Sequence, residues 1–278
     1  MAQTQVTETP LHVPSYEDAS YEDVSTNQLR SKVIIASLGQ IVSSNTYASI
    51  DSFASIWSGT GGLLNQLAYP FCWLTTALVY LNDRCFVGNI DKFNKGQMSK
   101  EDFLSYLEAY YGTTNQNKII DAFNTLVNQE IGQKNFTSLF TFLNEHSNVE
   151  VILVASTNPI NFEHIQNTII HGQSHDRLKF VLSYENQETD HTKLAFKGLK
   201  EYTQTNQTTD RFDVISLHRA INEKSFANST AAGSEDVAEQ LLNNNQIKVD
   251  ACFPYNYEQN GVIGQYLDYV VNYFDSTD

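Results

Sequence analysis

The amino-acid sequence predicts an α/β protein: a Rossmann-like parallel sheet with an α-helical block inserted after its first strand. Three observations carry this. Apolar runs of strand length lie at 32–37, 149–156, 178–185, 211–217 and 246–252, and polar loops follow them. Segments of helical period separate the later runs, and strands alternating with helices give parallel sheets with right-handed crossovers. The stretch between the first two strands, about 50–146, reads as helix throughout. The predicted organisation is a polar tail at 1–27, an α/β core from 28–49 and 147–278, and a helical cap at 50–146 over the sheet edge.

The elements follow in order. Residues 1–27 are polar and acidic and repeat SYED at 15–18 and 20–23. That composition predicts a disordered tail. Tyrosines flanked by acids also suit a docking segment that phosphorylation would control. Strand one is KVIIAS, ending at Ser37. In the cap, QMSKEDFLSYLEAYYG is the clearest helix: Ser99 is a good N-cap, Asp102 sits three residues on, and Phe103, Leu104, Leu107 and Tyr110 share one face. Gly112 stops it. The segments 118–131 and 135–146 repeat the period. Beyond the cap come VEVILVAS, the helix INFEHIQNTII, LKFVLSYE, the helix TKLAFKGLKEY and RFDVISL. A helix at 234–245, the strand QIKVDAC and the amphipathic helix QYLDYVVNYF complete the order.

Composition narrows the function. The chain of 278 residues is 41% hydrophobic, enough for a sizeable core, and carries a formal net charge of −15. Without a basic run, a nucleic-acid groove is excluded as an expectation, because phosphate binding needs clustered Lys and Arg. The longest apolar stretch, LLNQLAYPFCWLTTALVYL, is interrupted by Asn65, Gln66 and Pro70 and reads as core helix, so no membrane span is expected. Cys72, Cys85 and Cys252 are odd in number and lack metal-ligand spacing, which suits reduced thiols. The start MAQTQVTETP shows no signal peptide. The expected location is the cytoplasm, or a host cell reached by secretion without a cleavable signal, as for a bacterial effector.

Several ordered segments resemble the haloacid dehalogenase (HAD) superfamily, in the branch with a helical cap after strand one. Ser37-Leu38-Gly39-Gln40-Ile41-Val42 is similar to that branch's first motif, Asp-Leu-Gly-Gly/Asn-Val-Leu. KGQMSKEDFLSYLEAYYG and DAFNTLVNQEI resemble its cap segments, VILVASTNPINFEHI its second-motif strand, and FVLSYENQETDHTKLAFKGL its third-motif region. FDVISLHRAINEKSFANSTAAG falls where an acidic pair should end strand four. The resemblance implies an aspartate nucleophile, a Ser or Thr and a Lys that steady the transferring group, and Mg²⁺ held between two motif carboxylates.

Residue by residue, that equipment is replaced. The nucleophile position holds Ser37 and the position two residues on holds Gly39, as in the Asp-Leu-Gly branch. The second-motif Ser position falls on Ala155, the third-motif Lys on Asp190 with His191 after it, and the acidic pair on Leu217 and His218. A serine without a base is a poor nucleophile. Without carboxylates and the lysine, phosphoryl transfer loses its electrostatic stabilisation, usually the largest catalytic contribution. The expectation is a pseudoenzyme with no cofactor and no bound metal, whose cap or N-terminal tail binds another protein. The alternative is a hydrolase or phosphatase of the same fold with altered chemistry, and a third reading is a non-catalytic small-molecule binder.

Single residues carry rival readings. Ser37 and His218, oriented by Asp190, would make a triad if geometry assembled them. His171 and His175, four apart with Asp176 next, would be half a metal site on a helix, or ordinary loop histidines. Lys193 would replace the lost lysine, or point along its helix. Asn158 is expected to order the second-motif loop. Trp57, Tyr69, Phe71, Trp73, Tyr110, Tyr111 and Phe123 are expected mostly in the cap core, any exposed ones forming a binding face.

Overall fold

The computed structural model describes residues 31–43, 46–58, 63–83, 87–206, 212–218, 247–250 and 255–275. The expected tail at 1–27 and helix at 234–245 lie outside them, as do Cys85 and Cys252. Five strands, β1 (Lys32–Ser37), β2 (Val149–Ala155), β3 (Leu178–Leu182), β4 (Phe212–Ser216) and β5 (Ile247–Asp250), form one sheet in the order β3-β2-β1-β4-β5. All pairings are parallel, with Ser37 opposite Val154 and Ile35 opposite Ser216. This is the parallel α/β architecture expected. β1 lies at the centre, where both faces are covered, so it reads as a continuous apolar run instead of an alternation.

Side chains of β1 still separate by parity. Ile34 and Ala36 point to one face and pack with α1 (Leu38–Val42), α7 (Gln129–Glu145) and α12 (Ile263–Asp275), which follows the short α11 (Tyr257–Asn260). Val33 and Ile35 point to the other and pack with α10 (His191–Asn206) through Leu194, Ala195 and Leu199. α10 sits so close that a Cβ built on Gly198 would lie 2.8 Å from Ile152 Cγ2. Each fully buried Ile or Val contributes about 1.5–3 kcal/mol relative to exposure.

Between β1 and α7 run α2 (Thr46–Ser58), α3 (Leu63–Asn82), α4 (Asn89–Asn94), α5 (Lys100–Tyr111) and α6 (Gln116–Asn124). Their own cluster is aromatic. Phe93 stacks on Phe103 with ring centroids 4.1 Å apart, and Phe53 stacks on Tyr111. Ile160, from α8 (Pro159–His164), enters this cluster and seats the cap helices on the core. Ser99 caps α5, its Oγ accepting from the Asp102 N–H at 3.0 Å, and Gly112 ends it with φ +62°.

Local departures from the expectations have physical reasons. The helical run expected at 118–131 breaks in two: α6 ends at Asn124, and Asn128 caps α7 by accepting from the Ile131 N–H. α7 falls in the stretch expected to be cap, yet Phe136, Leu139, Phe142 and Leu143 pack on the sheet face. β3 ends at Leu182 and a short helix, α9 (Ser183–Asn186), follows where more strand was expected. α8 continues as a π turn at Ile165–Ile169. α3 is one helix through Pro70, but it is not a core helix all round. Phe71, Leu74 and Leu78 are exposed, Phe71 to 73%. Of the other cap aromatics, Tyr111 is buried, Trp73 and Phe123 half-buried, and Tyr110 exposed; the side chains of Trp57 and Tyr69 lie outside the described set. Among the described residues no helix is long and apolar enough to cross a membrane.

Candidate functional site

The parallel sheet brings the carboxyl ends of β1, β2, β3 and β4 to one edge, beneath the cap helices. In such sheets the crevice beyond those ends is where ligands bind. Here it is a chamber of ≈ 360 Å³ between core and cap. Ser37 and Gly39 line it from β1 and α1, Ala155 to Asn158 from the end of β2, and His191 from the start of α10. Asp83, Thr76 and Tyr106 reach it from the cap.

Ser37 is the last residue of β1 and is buried. Among the described residues no imidazole or carboxylate hydrogen-bonds its Oγ. Gln40 holds the strand end in place. Its Oε1 accepts from the Ser37 N–H at 3.2 Å, and its Nε2 donates to the carbonyls of Leu217 and Tyr255. The amide thus ties the exit of β1 to the exit of β4. Gly39 is not forced by crowding: a Cβ there would meet Ser37 Oγ at 3.7 Å, an ordinary contact.

Ala155 ends β2 and presents only a methyl group to the chamber. The loop after it is fixed by Ser183, whose Oγ donates to the Thr157 carbonyl at 2.7 Å and accepts from the Thr157 N–H at 2.9 Å. Asn158 orders the loop as expected: its Oδ1 caps α8 through the Asn161 N–H, and its amide lies 3.5 Å from Asn94 Oδ1 of the cap.

Asp190 does not line the chamber. Its Oδ1 accepts from the Thr192 and Lys193 N–H groups and so caps α10. Lys193 pairs with Glu188 at 3.2 Å and is exposed. The residue that takes up the space is His191. Its Nε2 accepts from the Ser156 N–H at 3.3 Å, which leaves Nδ1 as the donor to His218 Nε2, also 3.3 Å away. Both rings are held neutral. Burial pushes the pKa of His191 down, the neighbouring His218 adds to this, and Asp190 partly opposes it; burial also lowers His218. Protonated His191 would turn an N–H toward the Ser156 N–H. Leu217 is fully buried, its backbone paired with Ile35. The Ser37–His218–Asp190 triad is therefore not assembled, because His218 engages His191 and Asp190 engages its own helix.

His171 and His175 lie in the turn before β3, not on a helix. His171 has φ +54°, and His175 accepts from the Arg177 N–H. Of the two readings of this pair, the structure shows loop histidines.

Asp83 is the residue that sequence reasoning missed. Its side chain is buried. Oδ2 accepts from the Ile90 N–H at 2.8 Å and Oδ1 from the Tyr106 hydroxyl at 3.1 Å. Burial, then the adjacent carboxylate, pushes the Tyr106 phenol up. The sequence signal was slight: one acid immediately after a twenty-residue apolar helix.

The resemblance to HAD enzymes implies Mg²⁺ at this edge. The described residues do not fit it. Mg²⁺ takes hard oxygen ligands, and the matching strand ends offer a hydroxyl at Ser37, a methyl at Ala155 and the Leu217–His218 pair. Among the described residues no three His, Cys, Asp or Glu side chains converge to hold a metal.

No sequence family and no curated protein matches the chain. Solved structures do. A predicted HAD-like family hydrolase from Porphyromonas gingivalis superposes with a TM-score of 0.51 at 15% identity, over 87% of this chain and 98% of that one. A HAD family enzyme from Bacteroides thetaiotaomicron gives 0.48 at 14% identity, over 83% and 97%. That enzyme's wild-type complex with magnesium and inorganic phosphate gives 0.47 at 15%, over 76% and 98%. At such identity the Porphyromonas likeness defines the fold: a HAD-like α/β sheet with a helical cap.

Proposed function

We propose that this chain is a HAD-fold pseudoenzyme, a protein that keeps the scaffold and its chamber but has given up phosphoryl transfer and works by binding. One observation carries the reading. Ser37, Ala155, His191 and Leu217 with His218 occupy the carboxyl edge of the sheet, and none supplies a carboxylate or a lysine there. Removing both metal-holding carboxylates and the cation removes the stabilisation on which the chemistry depends. We divide the molecule into a core of β1, α1 and everything from α7 onward, and a cap of α2 to α6. The exposed Phe71, Leu74 and Leu78 on α3 support a protein partner at the cap. The two SYED sequences support docking by the tail, in a host cell if the chain is a secreted effector. The test is turnover of p-nitrophenyl phosphate with Mg²⁺. The expected rate is background for wild type and Ser37→Ala alike. Turnover that disappears in Ser37→Ala would sink the proposal.

A second reading, a hydrolase of altered chemistry, is favoured by a single feature. The same chamber is lined by Ser37, His191 and Asp83. Labelling of Ser37 by a fluorophosphonate would support it, and a silent serine would count against it.

A further inference from the structure

The chamber has a polarity opposite to that of a phosphate site. Its walls are mostly apolar, with Val42, Phe53, Leu107, Phe123, Val127 and Ile165 among them. Among the described residues that line it there is no lysine or arginine. Among the described lining residues the one carboxylate is that of Asp83, from the cap. Burying a carboxylate is costly unless it is paired and hydrogen-bonded. Asp83 has its hydrogen bonds, from the Ile90 N–H and the Tyr106 hydroxyl, but among the described residues no Lys, Arg or His is ion-paired with it. An ionised carboxylate offers about four acceptor positions, so about two remain for a further donor. A second acceptor lies in the same wall: Asn161 is buried, and its Oδ1 has no hydrogen-bond partner among the described residues. A cavity of about 150 Å³ accommodates benzene, so ≈ 360 Å³ has room for a ring with a short arm.

We infer that this chamber binds a small molecule with an apolar, ring-sized body and one cationic amine, the amine held by Asp83 beside Tyr106. The ammonium supplies the counter-charge that no described Lys, Arg or His gives this buried carboxylate. Its body displaces water from the apolar wall, which favours binding in proportion to the apolar area covered. Anions are disfavoured by Asp83 itself and by the acidic balance of the whole chain. The inference rests on the reading of the cleft as having left phosphoryl chemistry, and it names what the cleft takes instead.

The experiment uses the full chain and four probes: 2-phenylethylamine, 2-phenylethanol, phenylacetate and inorganic phosphate. Calorimetric titration measures each affinity. The amine is expected to bind at least tenfold more tightly than the alcohol, and phenylacetate and phosphate more weakly than either. Asp83→Asn is expected to lower the amine affinity at least tenfold and leave that of the alcohol unchanged. In case the variant does not fold, amide NMR of the wild type gives an independent readout. The amine is expected to shift the Ile90 N–H, which hydrogen-bonds Asp83. Failure of the amine to bind, binding of phenylacetate or phosphate as tight as that of the amine, indifference to Asp83→Asn, or shifts that bypass Ile90 would each overturn the inference. Phosphate-ester turnover would end the pseudoenzyme reading while leaving the amine titration to be judged separately.

Discussion

Replacing Asn135 by alanine tests how α1 and α12 are held together beside the sheet. Asn135 is fully buried on α7. Its Nδ2 donates to the Ile41 carbonyl at 2.7 Å, and its Oδ1 accepts from the Ile263 N–H at 3.1 Å and lies 3.0 Å from the Tyr255 hydroxyl. The two backbone groups have no intrahelical partners, being a carbonyl in the last turn of α1 and an N–H in the first turn of α12. One amide therefore closes two helix ends. Tyr255 keeps a partner without it, because the Gly261 carbonyl, 2.8 Å away, is a second acceptor for its one hydroxyl proton. In Asn135→Ala two buried backbone groups are orphaned at about 1–3 kcal/mol each, so the expected loss is about 2–6 kcal/mol. Against a typical total of about 5–15 kcal/mol, that is a large fraction. Urea unfolding, followed by far-ultraviolet circular dichroism, measures it as a drop in midpoint. Asn272→Ala, at an exposed position of α12, is the control and is expected to stay within about 0.5 kcal/mol. A loss under about 1 kcal/mol at Asn135 with an unchanged denaturant slope would refute the reasoning.

Further expectations concern the edge of the sheet. His191 and His218 have pKa values lowered in the folded state, so the unfolded chain binds more protons as pH falls through the ordinary histidine range near 6.5. Stability present at pH 7.5 is lost toward pH 5, and the loss is expected to be smaller in a His191→Gln, His218→Gln double variant; midpoints that respond identically to pH would contradict the neutral pair. Gly198→Ala puts a methyl against Ile152 and Val181 and is expected to cost about 1–3 kcal/mol in thermal or urea unfolding. Ser37→Asp is expected to leave phosphate-ester turnover at background, since one carboxylate restores neither the second metal-holding acid nor the lysine; measurable turnover in this variant would show the remaining machinery to be intact.

The sheet was legible because buried parallel strands are short apolar runs, and KVIIAS and VEVILVA are such runs to within a residue of their ends. Helix α5 was legible from its own cap and stop, Ser99 and Gly112. Ser37 and Ala155 could be placed at strand ends for the same reason. What escaped were allegiances made in three dimensions. α7 has the period of any amphipathic helix, and nothing local says that its apolar stripe faces the sheet instead of the cap. Apolar α3 looked like core, yet composition does not record that Phe71, Leu74 and Leu78 face outward. Asp190 was matched to the lysine position along the chain, but a residue preceding a helix is drawn into capping it, and the side chain that enters the chamber is its neighbour His191. Asp83 acquires meaning only when Ile90 and Tyr106 close around it.

The central claim is that, among the described residues, the carboxyl edge of this sheet has no place for a divalent metal. The most direct measurement is Mn²⁺ titration of the full chain, read by electron paramagnetic resonance with Mg²⁺ as competitor. The account predicts no stoichiometric site up to millimolar Mn²⁺. A Mg²⁺-displaceable site of one ion per chain, abolished by Ser37→Ala or Asp83→Ala, would contradict it.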